Sequence, residues 1–248
     1  MSGETVDFGF TTVRREDKAS RVRGVFDNVA TRYDVMNDSM SFGMHRLWKD
    51  AFVTWLRPRA GQDLLDVAGG TGDIAFRIAR RTRGAAAITV ADINHEMLQV
   101  GHRRAGRRLH ADGVTWTCAD AERLPFPDAS FDAVTVAFGV RNMTDKPAAL
   151  REMRRVLRPG GRFLCLEFSR FALPGLAPLY EWYSFNVVPR MGAWIARDRE
   201  SYQYLIESIR MFPDQPSFAA LLEEAGLSRV TWKDLSGGIA AMHAGWRL

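Results

Sequence analysis

Apolar and polar positions along this chain follow two rhythms, one of helices and one of strands. From Asp17, residues Val22, Val25, Phe26, Val29 and Tyr33 fall at helical spacing. A second helix is predicted from about Ser41 to Leu56. Its stripe is Met44, Leu47, Trp48, Ala51, Phe52, Trp55 and Leu56, and Ser41 suits its N-cap. Residues 1–16 carry neither rhythm and read as a loose tail. After the two helices, short apolar runs alternate with helical ones. DLLDVA (63–68), AAITVADI, VTWTCAD, FDAVTVAFGV and RFLCLEFS read as strands. IAFRIARR, NHEMLQVGHRR and KPAALREMRRVL read as helices. Helices follow near 201–212 and 216–225. SRVTWKDL and IAAMHAGWRL, joined by Ser-Gly-Gly, close the chain as a β-hairpin.

This order predicts an α/β fold: a doubly wound, mostly parallel seven-stranded sheet with an N-terminal helical cap and a C-terminal hairpin. Ligands of such a sheet sit at the carboxyl ends of its strands. A single domain over 1–248 is expected. It divides into a cap (17–57), a cofactor-binding core (60–170), an apolar insertion or lid (171–212) and a helix with hairpin (213–248). Pro174, Pro178, Pro189 and Glu181 interrupt the insertion. A membrane-spanning helix needs roughly 20 unbroken apolar residues, so spanning is not expected there.

Composition changes this picture little. At 248 residues and 46% apolar, the chain can bury a sizeable core. The net charge is +5, with basic runs at Arg103, Arg104, Arg107 and Arg108 and at Arg151, Arg154, Arg155 and Arg158. Such runs suit nucleic acid or an anionic membrane, and their helical spacing equally suits solvated helix faces. Cys118 and Cys165 lie in apolar runs and read as buried thiols of a reducing compartment. The five histidines form no metal-binding spacing, so no metal site is expected. MSGETVDFGF lacks a charged n-region and an apolar h-region, so no signal peptide is expected there.

The sharpest chemistry lies in LLDVAGGTGD (64–73). A strand ends near Asp66, and Gly69, Gly70, Thr71 and Gly72 turn it into a helix. Glycines let the backbone approach a ligand, and the helix start offers unpaired N–H groups. Gly70–Ala75 also satisfies GxGxxA, which alone would suggest a dinucleotide. Asp66 and Asp73 argue against it, because a pyrophosphate disfavours nearby negative charge. A cationic cofactor without phosphate, such as S-adenosylmethionine, tolerates both. Asp92, followed by Ile93, ends the second strand and can accept from two ribose hydroxyls. Asp120, followed by Ala121, ends the third and can reach an adenine edge. Both aspartates also suit plain helix caps.

The glycine loop, the acidic end of the second strand, LPFPDASFD and LRPGGRFL together resemble the class I S-adenosylmethionine-dependent methyltransferases over about 60–170. Outside that core, YDVMNDSMSFGMHRLW (33–48) and RVLRPGGRFLCLEFS resemble the two signatures of the ubiquinone/menaquinone biosynthesis C-methyltransferases, the UbiE type. FGFTTV, FGVRNMTD and the GWRL end are similar too. Ala137 departs from a serine that bacterial members often carry as a cofactor contact.

The resemblance implies ring methylation of a polyprenylated benzoquinol or demethylmenaquinol. A hydroxyl proton must leave so that the ortho carbon can attack the methyl group. Arg141 is expected to stabilise the resulting phenolate or to order a water that takes the proton, with structural pairing to a carboxylate as its plainer role. His45 is a candidate base, or a helix-surface or capping residue. Tyr33 is a further catalytic candidate; Tyr33, Asn37 and His45 are candidate ring or hydroxyl contacts, and Asn142 is a candidate substrate contact. Glu167 either orients a substrate hydroxyl or pairs with an arginine. Trp48 and Met44 are expected to hold the cap together. Trp182 and its apolar neighbours in the insertion would line a groove for the prenyl tail, touch a bilayer surface, or form a lid core or dimer interface. Expected partners are the quinol, a membrane surface, a quinone-biosynthesis complex and a second copy of the chain, without nucleic acid. The expected location is the cytoplasm, at the inner face of the membrane. Other readings are an RNA or small-molecule methyltransferase, a non-catalytic cofactor-binding subunit and an NAD oxidoreductase.

Overall fold

The computed structural model describes residues 4–29, 41, 43–169 and 199–248; side chains are described except at 26–29 and 199–202. Tyr33, Asn37 and Trp182 lie outside the described residues, as does most of the apolar insertion.

The strands and helices alternate as the hydrophobic rhythm predicts. Five strands run parallel: β3 (Asp63–Val67), β4 (Ala87–Asp92), β5 (Val114–Cys118), β6 (Phe131–Ala137) and β7 (Leu157–Phe168). They are linked by α3 (Asp73–Thr82), α4 (His95–Ala105) and α5 (Lys146–Val156). After α6 (Arg199–Met211) and α7 (Gln215–Glu224), β8 (Ser228–Leu235) and β9 (Ala240–Trp246) form the predicted hairpin. The sheet order is β5-β4-β3-β6-β7-β9-β8, with β9 antiparallel to both neighbours. Strand order reverses between β3 and β6, so the loops after these two strands part and leave a crevice. In β7, LRPGG belongs to the strand itself. A register irregularity between Phe131 and Ala133 absorbs it.

Two apolar layers hold the sheet. On one face, α2 (Met44–Leu56) and α3 contribute Trp48, Phe52, Ile74 and Ile78. On the other, α5 and α7 contribute Leu150, Met153, Phe218 and Leu222.

Residues near the N-terminus correct the expectation of a loose tail. Thr5–Phe8 (β1) and Thr11–Arg14 (β2) form an antiparallel hairpin that leads into α1 (Arg15–Val29). Its stability is tertiary: Phe8 stacks on Tyr204 with ring centroids 4.4 Å apart, and Phe10 N–H donates to Glu207 Oε2 at 3.0 Å. Thr5–Phe8 alternates polar and apolar over four residues, the shortest run that reads as a strand, and Thr11–Arg14 does not alternate.

α2 differs from its prediction in two ways. It begins at Met44 after Gly43, a left-handed residue, while Ser41 Oγ accepts the His45 backbone N–H at 3.1 Å. Its buried face is His45, Trp48, Lys49, Phe52, Val53 and Leu56. Met44 and Leu47 are 37% and 61% exposed, so Met44 is no cap anchor, whereas Trp48 is. The Trp48 indole donates to Ser236 Oγ at 2.9 Å and packs edge-on against Phe168. Cys165 is buried as expected, but Cys118 is exposed, because β5 is an edge strand.

Candidate active site

A cavity of about 600 Å³ opens at the carboxyl ends of β3, β4, β5 and β6. Its floor is the glycine loop. The end of β4 gives Asp92, Ile93 and Asn94, and the end of β5 gives Ala119, Asp120, Ala121 and Glu122. Ala137, Phe138, Gly139 and Asn142 line it after β6. The hairpin and α1 cover it with Glu4, Arg14, Arg15, Ala19, Val22 and Arg23.

Asp66 is 1% exposed on β3. In the strand register it lies opposite Thr135 of β6, whose hydroxyl donates to Asp66 Oδ1 at 2.8 Å. Asp66 Oδ2 has no hydrogen-bond partner among the described residues. Burial pushes this carboxyl up to about 7, against the Thr135 bond; nearby Asp73 and Asp92 add to the rise and Lys49 opposes it. A Cβ on Gly69 would stand 2.8 Å from Asp66 Oδ2 and 2.8 Å from Val90, so only glycine fits. The loop is therefore a cradle with a buried, open acceptor. That combination suits the cationic end of S-adenosylmethionine and repels a pyrophosphate.

Asp92 is fixed by backbone donors. Gly70 N–H reaches its Oδ2 and Asn94 N–H its Oδ1, each at 2.8 Å. Burial raises this carboxyl, while the N–H groups of Asn94, Gly70 and Ile93 counter the rise. Each carboxylate oxygen keeps a lone pair for a ribose hydroxyl. Asp120 is exposed, and its Oδ1 accepts Glu122 N–H at 2.9 Å. Asn94 supplies the cap of α4, accepting Met97 N–H at 3.0 Å. Eight of the nine expected cofactor residues line this cavity; Gly72 does not, and instead turns the loop into α3 at φ 80°. Trp116 fills the space where a Gly72 Cβ would go.

Asp73 is not a bare charge. Burial pushes its carboxyl up, but Lys49 (2.7 Å) and Arg77 (3.1 Å) outweigh this and bring it to about 2. Asp73, neutralised in this way, does not count against a dinucleotide, whereas Asp66 does.

The expected catalytic residues scatter. Arg141 is buried, and its Nη1 donates to Glu167 Oε1 at 2.6 Å and to Phe138 O at 2.5 Å. Its backbone N–H reaches Glu167 Oε2 at 3.3 Å. Arg141 and Glu167 are thus each other's partners and are absent from the described cavity lining. Asn142 does line it, with Oδ1 taken by the Tyr204 hydroxyl at 3.1 Å. His45 is buried with Nδ1 3.0 Å from Ser41 Oγ, and it too is outside the described lining.

Three features escaped the sequence reading: Thr135, Lys49 and the N-terminal roof. Thr135 had a signal, being the one hydroxyl inside the apolar run AVTVA. Lys49 also had one, since 49, 52, 53 and 56 form a stripe on a single helix face. The roof had only the short alternation of Thr5–Phe8. It is tied down by Arg15, which bridges Glu4 at 3.1 Å and Asp145 at 2.6 Å, and by Lys18 Nζ, which donates to Met143 O at 3.2 Å. Burial and the neighbouring Lys146 hold Lys18 down at about 8.

Among the described residues, no group of histidines, cysteines and carboxylates is placed to hold a metal. No described helix is long and apolar enough to cross a membrane.

The profile of the ubiE/COQ5 methyltransferase family matches residues 12–247. The ubiquinone/menaquinone biosynthesis C-methyltransferase UbiE of Paracoccus denitrificans is 58% identical over 241 residues, covering 97% of this chain and 96% of its own. Among solved structures, the [4+2]-cyclase SpnF superposes with a TM-score of 0.71 at 19% identity, over 100% of this chain and 99% of its own. A methyltransferase of Thermotoga maritima that depends on S-adenosylmethionine gives 0.65 at 18%, over 91% and 99%. Both structures share the fold, and a cyclase among them shows that the fold alone does not fix the chemistry.

Proposed function

The chain belongs to the ubiE/COQ5 methyltransferase family, and on that premise we propose that it methylates a ring carbon of a polyprenylated quinol. The quinol is a benzoquinol of the ubiquinone pathway, a demethylmenaquinol of the menaquinone pathway, or both. The observation that carries this reading is identity at 58% along nearly the whole chain, cap and hairpin included, to a protein with that activity in its name.

When bound, S-adenosylmethionine supplies an electrophilic methyl group. The chain's own residues divide the remaining work. Asp92 would hold the ribose, Asp120 and Ala121 the adenine edge, and Asp66 with the glycine loop the amino-acid end. The roof of β1, β2 and α1 lines the cavity and would limit water around a bound cofactor, which strengthens these contacts. Asn142 keeps its amide N–H₂ as a donor toward a quinol oxygen, because Tyr204 occupies its carbonyl. Arg141 stays protonated, and the Glu167 pair fixes its guanidinium behind the 138–142 loop. Its proposed effect on a phenolate is therefore electrostatic and not that of a base.

With a prenyl-tailed substrate, the proposed working place is the cytoplasm at the inner face of the membrane. The insertion at 171–195 would meet the tail. A quinone-biosynthesis complex and a second copy of the chain are the proposed protein partners. The test is mass spectrometry of the quinone pool in cells lacking this protein. Accumulation of a demethylated benzoquinol or naphthoquinol precursor is expected and names the ring, whereas an unchanged pool overturns the proposal.

A further inference from the structure

Lys49 has no part in the activity as described so far. It lies on the buried face of α2, with its side chain 4% exposed, and it lines the cavity beside the glycine loop. Its Nζ gives one hydrogen bond to Asp73 Oδ2 at 2.7 Å and lies 6.0 Å from the centre of the Phe138 ring. An ammonium has three donors, so this geometry leaves two. Asp66, at the same end of the cavity, feels the charge of Lys49 but does not pair with it, and keeps Oδ2 open.

One end of the crevice thus holds a buried cation with donors to spare and a buried acceptor with a lone pair to spare. They do not satisfy each other. A ligand group that completes both brings an acceptor to Lys49 and a donor to Asp66, as the carboxylate and ammonium of an α-amino acid do. A cation alone would be repelled by the Lys49 ammonium and an anion alone by the Asp66 carboxylate, so the arrangement fits a zwitterion better than either ion alone.

We propose that Lys49 binds the carboxylate of the cofactor's amino-acid end, while Asp66 faces its ammonium. Asp73 is then a positioning residue: it neutralises Lys49 between ligands and, with Arg77 on its other side, fixes where Nζ sits. The competing cations on the lining are less suited. Arg14 and Arg15 are committed to Glu16, Asp17, Glu4 and Asp145. Arg23 is exposed on the roof, where water screens its charge. The inference rests on the cofactor reading given above.

Calorimetry on the full chain tests it, with S-adenosylhomocysteine and its decarboxylated analogue as ligands. Wild-type protein should prefer the carboxylate-bearing ligand by about tenfold or more, the scale of one charge-assisted hydrogen bond. Lys49→Met should lose about that factor toward S-adenosylhomocysteine and bind the analogue as wild type does. Lys49→Arg, which keeps the charge, should keep a preference for the carboxylate. Equal weakening toward both ligands, or none, overturns the proposal. Should Lys49→Met not fold, the wild type and Lys49→Arg decide alone, and absence of a carboxylate preference in either overturns it. If wild-type protein binds neither ligand, the cofactor reading itself fails, an outcome distinct from loss of the preference.

Discussion

Two loops leave the central strands β3 and β6 side by side, and they begin alike. Each has a non-glycine residue in the left-handed region, Ala68 at φ 50° and Phe138 at φ 59°, which costs energy and persists only where the surroundings enforce it. They touch at Gly139, where a Cβ would come within 2.5 Å of the Ala68 Cβ. Beyond that point they diverge. The β3 loop leaves polar groups open toward the cavity, with Asp66 Oδ2 the clearest case. The β6 loop turns its charges inward, with Arg141 on Glu167 and the Phe138 carbonyl, and Glu167 also taking the Phe168 N–H at 2.9 Å. One loop holds an acceptor open and the other closes its charges on each other. The lesson is that burial alone does not mark a ligand site. Asp66 and Glu167 are equally buried, and what separates them is whether their partners come from the chain.

The strongest way to break the comparison is to open the closed pair. Glu167→Ala leaves the Arg141 charge buried without its carboxylate and should cost about 3–5 kcal/mol in chemical denaturation. Glu167→Gln should cost less, since an amide oxygen still accepts. An unchanged midpoint for Glu167→Ala would mean that the pair braces nothing.

On the open side the expectation is opposite. Asp66→Ala should weaken S-adenosylhomocysteine binding by about 10- to 100-fold in calorimetry. The fold should gain from losing the same carboxylate at neutral pH. The folded pKa of about 7 lies above the unfolded value, so the stability this group contributes is complete below the unfolded value and is lost as pH rises through about 7. The melting advantage of Asp66→Asn over wild type, without ligand, should grow between about pH 4 and pH 8. A constant difference across that range would assign the effect to packing.

Smaller changes sharpen the contact between the loops. Gly139→Ala should cost about 1–3 kcal/mol by crowding Ala68, read as a lower denaturation midpoint. Tyr204→Phe removes only the bond to Asn142 and should cost about 1 kcal/mol, with any activity change appearing in KM for the quinol.

Much of this was legible in the sequence because it depends on local rules. The βα alternation, the glycine turn and the strand-end acids Asp92 and Asp120 follow from period and chain geometry over a few residues. Lys49 and the Arg141–Glu167 pair were harder, since burial of a charge is decided by a partner 24 or 26 positions away. The apolar stripe of α2 was read from Met44 and Leu47, but the helix is rotated so that His45 and Lys49 face inward. A stripe names a helix more reliably than it names the buried face. The N-terminal hairpin is the extreme case, because its partners lie on α6 and beside α5.

That hairpin has a kinetic consequence. Phe10 bonds Glu207, 197 positions away, and β9 must insert between β7 and β8 before the sheet is whole. During synthesis Phe8 and Phe10 cannot meet Tyr204 and Glu207 until α6 leaves the ribosome, so these contacts span most of the chain. The enclosed cavity is therefore a late event in folding. A nascent chain carries its glycine cradle well before it has a covered pocket.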